Sequence, residues 1–460
     1  MLLVACAAAL LLAAPASAFS KQDVTLPMDD GVALAATLYL PDAQPPAGGW
    51  PAIVFLHGLA GTRQQVNEVA EGYGFAGERY AVLSFDARGH GASGGLVSID
   101  GPREVADARA VFEWLRDRPD VADGRIGAWG ISYGGGAIWN SLVAGVPWAA
   151  VEVVETWVDL YAALVPQGLV KTGLAAGLAS SIPEERKSPD LKAIQAAAFA
   201  GTDPDAVAAW ARERSSLRRL GGVRTPVFLM QGRRDFLFPI DQASRAFAAL
   251  QGPKRLWIGN HGHAPSTFPA ADTAAMLREG RLWFDRFLRG ERNGIDAKPP
   301  VVLADEGRAT VRSFRAPPRT APIATSFTGR RTIAAGGKVV LRTPRLRVGV
   351  EVFGAPTVRV AATAAGGWSR LVAVLAARTP AGRQMVVSAG GVPTTAGART
   401  YTIRLLSQAV VVPRGSRYEL TLAGSSTAQE AGNLLYLDLP MPAGARLTVG
   451  RVDLRLPTLR

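Results

Sequence analysis

Between residues 21 and 290, short apolar runs alternate with stretches whose apolar positions recur every three or four residues. Continuous or alternating apolar runs predict strands, and the 3.6-residue period predicts helices. Asp23–Met28 and Val32–Leu40 flank the turn Asp29-Asp30-Gly31 and predict an antiparallel hairpin. Further strands are predicted at Ala52–Leu56, Tyr80–Phe85, Arg125–Trp129, Ala149–Glu155, Pro226–Met230 and, as the last, Arg255–Ile258. Val105, Ala108, Val111, Phe112 and Leu115 fall on one face of a helix over Pro102–Arg116, and Asp241–Leu250 and Ala271–Phe287 predict two more. Buried strands alternating with helices predict a mainly parallel sheet covered on both faces, the α/β class.

Two segments break this rhythm. Residues 157–222 are rich in Ala and Leu, with helical runs at Pro189–Phe199 and Asp203–Leu220, and read as a helical cap over the strand ends. After Asn293-Gly294 and Lys298-Pro299-Pro300 the period shortens. Thr357–Ala361, Leu371–Ala376, Tyr401–Leu405 and Tyr418–Leu422 are strand-like runs divided by Gly, Pro and Thr, which predicts an all-β sandwich of the jelly-roll kind. A chain of 460 residues exceeds one ordinary core. The expected division is an α/β domain over 19–295, a linker over 296–325 and the β-sandwich over 326–460.

The first 18 residues read as a cleaved secretory signal: Leu2–Ala14 is almost wholly apolar and Ala16-Ser17-Ala18 has the small-residue cleavage pattern, although no Lys or Arg precedes the apolar run. The expectation is a secreted or extracytoplasmic protein. With Cys6 as the one cysteine, an internal disulfide and a cysteine metal site are both excluded. Charge changes the picture once more. Residues 301–460 carry 22 Lys+Arg and 7 Asp+Glu, net +15, and the total of +13 therefore leaves −2 for the first 300 residues. A basic second half could favour a weak interaction with an anionic envelope surface. No nucleic-acid motif accompanies it, and the pattern is silent on oligomeric state.

Gly-x-Ser-x-Gly occurs twice, and context separates the copies. Gly130-Ile131-Ser132-Tyr133-Gly134 follows an apolar strand and opens a helix-like run, the strand–turn–helix setting that exposes a nucleophilic serine. Gly91-Ala92-Ser93-Gly94-Gly95 has no such setting. A serine hydroxyl needs a base to take its proton. Of the four histidines, His57, His90, His261 and His263, the last two lie after the final predicted strand, and Gly262-His263 favours His263, with His261 expected to line the site. Asp235, following the strand Val227–Met230 and preceding His263 by 28 positions, is the expected acid, with Asp241 read as a helix cap instead. The backbone N–H groups of Leu59 and Tyr133 are the expected oxyanion donors. His57, Asp86, Arg88 and His90 are expected to brace the neighbouring loops. Neither a metal nor a cofactor is expected.

Gly130-Ile131-Ser132-Tyr133-Gly134-Gly135, Asp86-Ala87-Arg88-Gly89-His90-Gly91 and Gly262-His263-Ala264-Pro265 together resemble the Xaa-Pro dipeptidyl-peptidase-like serine hydrolases, a group that includes cocaine-esterase-like enzymes and α-amino acid ester hydrolases. The resemblance implies an α/β-hydrolase domain with a helical cap, followed by a jelly roll. It implies hydrolysis of an ester or amide in a small molecule or short peptide through an acyl-enzyme. Esterase-like members commonly place a tyrosine at the oxyanion loop, where this chain has His57-Gly58-Leu59. An ester-type acyl hydrolase is the leading expectation and a Xaa-Pro dipeptidyl-peptidase the second, for which Glu155 and Asp159 are candidates to bind a free amino terminus. A non-catalytic envelope-binding protein is the alternative of another class.

Overall fold

The computed structural model describes residues 19–459 except residue 78. The expected signal segment, residues 1–18, lies outside the described residues. The first ten strands are β1 (Phe19–Pro27), β2 (Ala33–Pro41), β3 (Trp50–Leu56), β4 (Ala81–Phe85), β5 (Val121–Ile131), β6 (Val151–Val154), β7 (Val227–Gly232), β8 (Lys254–Gly259), β9 (Val301–Ala304) and β10 (Val311–Phe314). They form one sheet in the order 1-2-4-3-5-6-7-8-9-10. It is antiparallel at β1–β2–β4 and at β9–β10, and parallel between. Every residue of β3, β4, β6 and β7 is buried, as both faces of a covered parallel sheet require.

The covering helices are α1 (Arg63–Gly72), α2 (Pro102–Arg116), α3 (Tyr133–Val143), α8 (Ile240–Ala249) and α9 (Thr273–Leu288), and the cap between them holds α4 (Leu160–Leu164), α5 (Thr172–Ser181), α6 (Pro189–Ala200) and α7 (Pro204–Glu213). Helix α2 starts at Pro102, whose missing N–H costs nothing in a first turn, and buries Ala108, Val111, Phe112 and Leu115 as its period predicts. The helix expected over Asp203–Leu220 stops earlier, at Glu213. The N–H groups of Ser216 and Leu217 both turn to Val158 O, and the Arg214 guanidinium crosses to Ser98 O, so tertiary hydrogen bonds override helical propensity there.

The β-domain holds β11 (Thr320–Phe327), β12 (Arg331–Ala334), β13 (Lys338–Arg342), β14 (Val350–Gly354), β15 (Thr357–Ala365), β16 (Arg370–Arg378), β17 (Gln384–Pro393), β18 (Gly397–Arg404), β19 (Gln408–Val412), β20 (Arg417–Ala423) and β21 (Arg446–Leu459). Two antiparallel sheets result: β18-β15-β21-β14-β19, with β11 and β12 also on β21, and β13-β20-β16-β17. Alternating burial along β15 and β21 supplies a shared apolar core.

The linker expected over 296–325 is corrected. Val301–Ala304 extends the first sheet beside β8, Val311–Phe314 pairs back on it, and Thr320–Phe327 already pairs with β21. Arg255–Ile258 is accordingly not the last strand of the sheet. Pro299-Pro300 marks the entry to a short strand rather than a domain boundary, because a four-residue strand carries too little periodicity to be read.

Candidate active site

The turn between β5 and α3 carries Ser132 in a left-handed backbone, φ 54° and ψ −114°. Such strain in a non-glycine residue is held only where the surroundings overdetermine it. Here they do: a Cβ on Gly130 would meet the backbone of Gly134, and one on Gly134 would meet that of Leu56. The serine is thereby lifted above the C-terminal edge of the sheet, where ligands bind in α/β folds.

Ser132 Oγ lies 2.9 Å from His263 Nε2, and His263 Nδ1 lies 2.7 Å from Asp235 Oδ2. The His263 backbone N–H also donates to Asp235 Oδ2, at 3.1 Å. Leu237 and Phe238 N–H groups donate to the other carboxylate oxygen at 2.9 and 2.8 Å. Burial alone would raise the Asp235 pKa, but His263 and these N–H donors hold it below its ordinary value. Burial likewise disfavours the His263 imidazolium, and Asp235 more than compensates, raising the His263 pKa. The arrangement can draw a proton from Ser132 and keep the resulting cation paired.

Leu59 stands at the wall of a cleft that opens on Ser132, and Tyr133 is the first residue of α3, so the helix leaves its N–H without a partner. Ser93 is buried, with its hydroxyl donating to Asp86 O and accepting from Ala35 N–H, which gives it a structural part. The bracing loop is also visible. Arg88 bridges Asp30 and Asp107, Asp86 accepts from the N–H groups of Arg63 and Ala92, and His57 Nε2 accepts from Ala87 N–H. His90 Nδ1 lies 3.0 Å from Arg88 O.

The cleft encloses about 1010 Å³ including its open mouth, and α4, α5, α6 and α7 supply most of its wall. No described residue lining it carries a charge. The polar atoms of Trp157 and Trp210 are turned to Arg214 O and Asp190, and the Tyr133 hydroxyl to Glu104. Among the side chains of the described lining residues, Ser132, Gln195 and Tyr161 leave polar atoms for a guest.

Three expected substrate-binding residues are corrected. Asp159 caps α4 by accepting from Ala162 N–H and pairs with Arg245 at 2.9 Å, so it is spent on the helix start. Glu155 and His261 are buried and neither lines the cleft. Their place at a strand end suggests access to the substrate, but both are buried where the chain leaves β6 and β8. Glu155, Asp235 and His263 have donor atoms within 4.8 Å of one another, the one such triplet among the described residues. Asp235 and His263 are already engaged with each other, with Ser132 and with backbone N–H groups, so the triplet offers a metal little beyond Glu155.

One residue escaped the sequence reading. Lys171 is fully buried and donates to Phe236 O at 2.7 Å and Leu237 O at 2.9 Å, clamping the segment that follows Asp235. Its setting between Leu169-Val170 and the small residues of α5 hints at burial but not at the groups that hold it. Burial lowers its pKa from 10.5 to about 7, with Asp235 and Asp241 opposing. Between those two values the unfolded chain binds one more proton than the folded one, so this group's contribution to stability rises with pH across that window and is lost as pH falls through it. Lys171→Met is expected to flatten the pH dependence of the unfolding free energy between about pH 7 and 10, by on the order of 1 kcal/mol per pH unit, and with it that of the melting temperature. Parallel melting curves of the two proteins across that range would contradict it.

His263→Ala and His261→Ala separate the two histidines. The first is expected to lower kcat by about 10⁴-fold or more with the fold intact. The second leaves a buried cavity, costing about 2 kcal/mol or more of stability, while much of kcat remains. The reverse pattern in kinetics and thermal melts would contradict the assignment.

Residues 30–265 match the family model of the X-Pro dipeptidyl-peptidase (S15 family), slightly more than half of the 460 residues. The chain belongs to this S15 family. The matched span contains Leu59, Ser132, Tyr133, Asp235 and His263. Among S15-like relatives, the cocaine esterase of Rhodococcus sp. (strain MB1 Bresler) is 27% identical over 343 residues, 61% of this chain and 57% of the relative. A protein of Streptomyces avermitilis assigned as a Xaa-Pro dipeptidyl-peptidase is 26% identical over 311 residues, 61% of this chain and 44% of the relative. The chain thus spans about half the length of the curated relatives it matches. The CocE/NonD family hydrolase of Staphylococcus aureus shares the fold, with a TM-score of 0.72 at 15% identity, covering 96% of this chain and 94% of that one. The fold shared with that hydrolase extends over both domains, the α/β domain and the antiparallel all-β domain expected after it.

Proposed function

We propose that this chain is a serine hydrolase that cleaves esters with an apolar acyl group through an acyl-enzyme. Ser132 attacks the carbonyl, His263 takes its proton and returns it to the leaving group, Asp235 orients His263, and the N–H groups of Leu59 and Tyr133 bind the oxyanion. The observation that carries the substrate class is the uncharged wall of the cleft at Ser132. A dipeptide with a free amino terminus needs a carboxylate there, but Glu155 is buried outside the cleft lining and Asp159 is paired with Arg245. An apolar chain gains about 0.8 kcal/mol per buried methylene.

A panel of p-nitrophenyl esters beside Gly-Pro- and Ala-Pro-p-nitroanilides tests the reading. Across the short-chain esters kcat/KM is expected to rise, up to roughly fourfold per added methylene. The prolyl anilides are expected to turn over far more slowly. Faster cleavage of the anilides would replace this reading with the dipeptidyl-peptidase named for the Streptomyces avermitilis relative. No turnover of either class, together with no labelling by a fluorophosphonate, would favour a binding protein.

A further inference from the structure

The proposed mechanism leaves one buried carboxyl beside the reacting groups without a part. Glu155 follows β6 with a left-handed backbone, φ 49°, and is 3% exposed. Its N–H is fixed on Met230 O at 2.8 Å, but its Oε1 has no hydrogen-bond partner among the described residues. The His261 Nε2 atom stands 3.8 Å from Oε1, and both nitrogens of that ring are also unpartnered. A Glu155 oxygen lies within 4.8 Å of the carboxylate of Asp235 and of a ring nitrogen of His263. A buried unpaired carboxyl costs stability, and such groups concentrate at functional sites.

We propose that Glu155 is a second acid of this site, a positioning carboxyl that shares with Asp235 the counter-charge of His263 when the imidazole takes the Ser132 proton. The proposal rests on the reading of Ser132 and His263 as nucleophile and base. In that step the Ser132 O–H bond breaks, its oxygen bonds the carbonyl carbon as the π pair moves onto the carbonyl oxygen, and the proton moves to His263 Nε2. When the C=O re-forms, the C–O bond to the leaving group breaks and the alcohol takes that proton. Glu155 exchanges no proton with His263 in this sequence and acts through its charge.

The surrounding charges set when it acts. Burial pushes the Glu155 pKa up to about 8, with His263 lowering it and Asp235 raising it. His261, packed against it, is held at about 4 by burial against the pull of Asp272 and Asp235. Lys171, lowered to about 7, adds the remaining cation, one that opposes protonation of His263. Glu155 is therefore neutral near pH 7 and ionised above about pH 8, where its charge favours the imidazolium over the neutral ring.

The test is the kcat–pH profile of the full chain on a p-nitrophenyl ester from about pH 6 to 10, with Ser132→Ala as the blank. The unaltered protein is expected to gain up to about tenfold in kcat through an ionisation near pH 8, and Glu155→Gln is expected to lose that rise. Asp235→Ala is expected to be slow but to accelerate with pH, and the double variant Asp235→Ala/Glu155→Gln to fall about tenfold or more below it at pH 9. Superimposed profiles of the unaltered protein and Glu155→Gln, or equal single and double variants, would overturn the proposal. If Asp235→Ala does not fold, as judged by circular dichroism, the comparison with Glu155→Gln decides alone. Activity in Ser132→Ala would instead overturn the reading of the nucleophile.

Discussion

Ser132→Ala is expected to lower kcat on every ester cleaved by about 10⁴- to 10⁶-fold while leaving the melting temperature nearly unchanged. The size follows from the geometry. Ser132 Oγ is the atom within 2.9 Å of His263 Nε2, and removing it leaves the base with nothing to deprotonate. The fold is expected to hold because alanine keeps the Cβ, so the left-handed backbone imposed by the close approach of Gly130 and Gly134 carries the same strain in both proteins. Residual turnover near the level of the unaltered protein would place the chemistry on another residue.

Removing the β-domain is the second large effect. A chain ending after β10, residues 19–315, is expected to be insoluble or inactive, even though it keeps every strand of the first sheet. The segment around Asp235 is held from the other domain: Gln408 Nε2 donates to Asp235 O at 2.8 Å, Ala409 N–H to Arg233 O at 2.8 Å, and the buried Arg233 guanidinium to Glu351 at 2.6 Å. Phe236 packs among Val372, Leu406 and Tyr436. Truncation would take from a buried arginine its nearer carboxylate, leaving Glu306 at 3.8 Å, and open an apolar surface to water. A soluble truncate with unchanged kcat would show the β-domain to be an independent module.

The readable part of this molecule was the part governed by local rules. The Ser132 turn was legible because strand, glycine spacing and helix follow one another within a few residues. The parallel strands were legible because burial on both faces leaves continuous apolar runs such as Ala52–Leu56. Asp235 and His263 could be picked out by chain order and their placement after strands, and the structure brings both to Ser132. The parts that failed depend on distant partners. Glu155 and His261 are expected from the sequence at the substrate because nothing local shows that the chain after β6 and β8 turns inward and buries them. Lys171 gives no sign in its neighbours that two carbonyls 65 and 66 positions away will hold it. Val301–Ala304 is a strand only because β8 lies beside it. The uncharged cleft is a property of four cap helices packed together, invisible in any one of them.

Mixing the full-length protein with a p-nitrophenyl ester of a medium-chain fatty acid, quenching in acid and measuring intact mass tests the central claim most directly. The account requires an added mass equal to the acyl group, located by peptide mapping on Ser132 and absent from Ser132→Ala. Turnover with an acyl adduct on a different residue, or with Ser132→Ala acylated to the same extent, would contradict it.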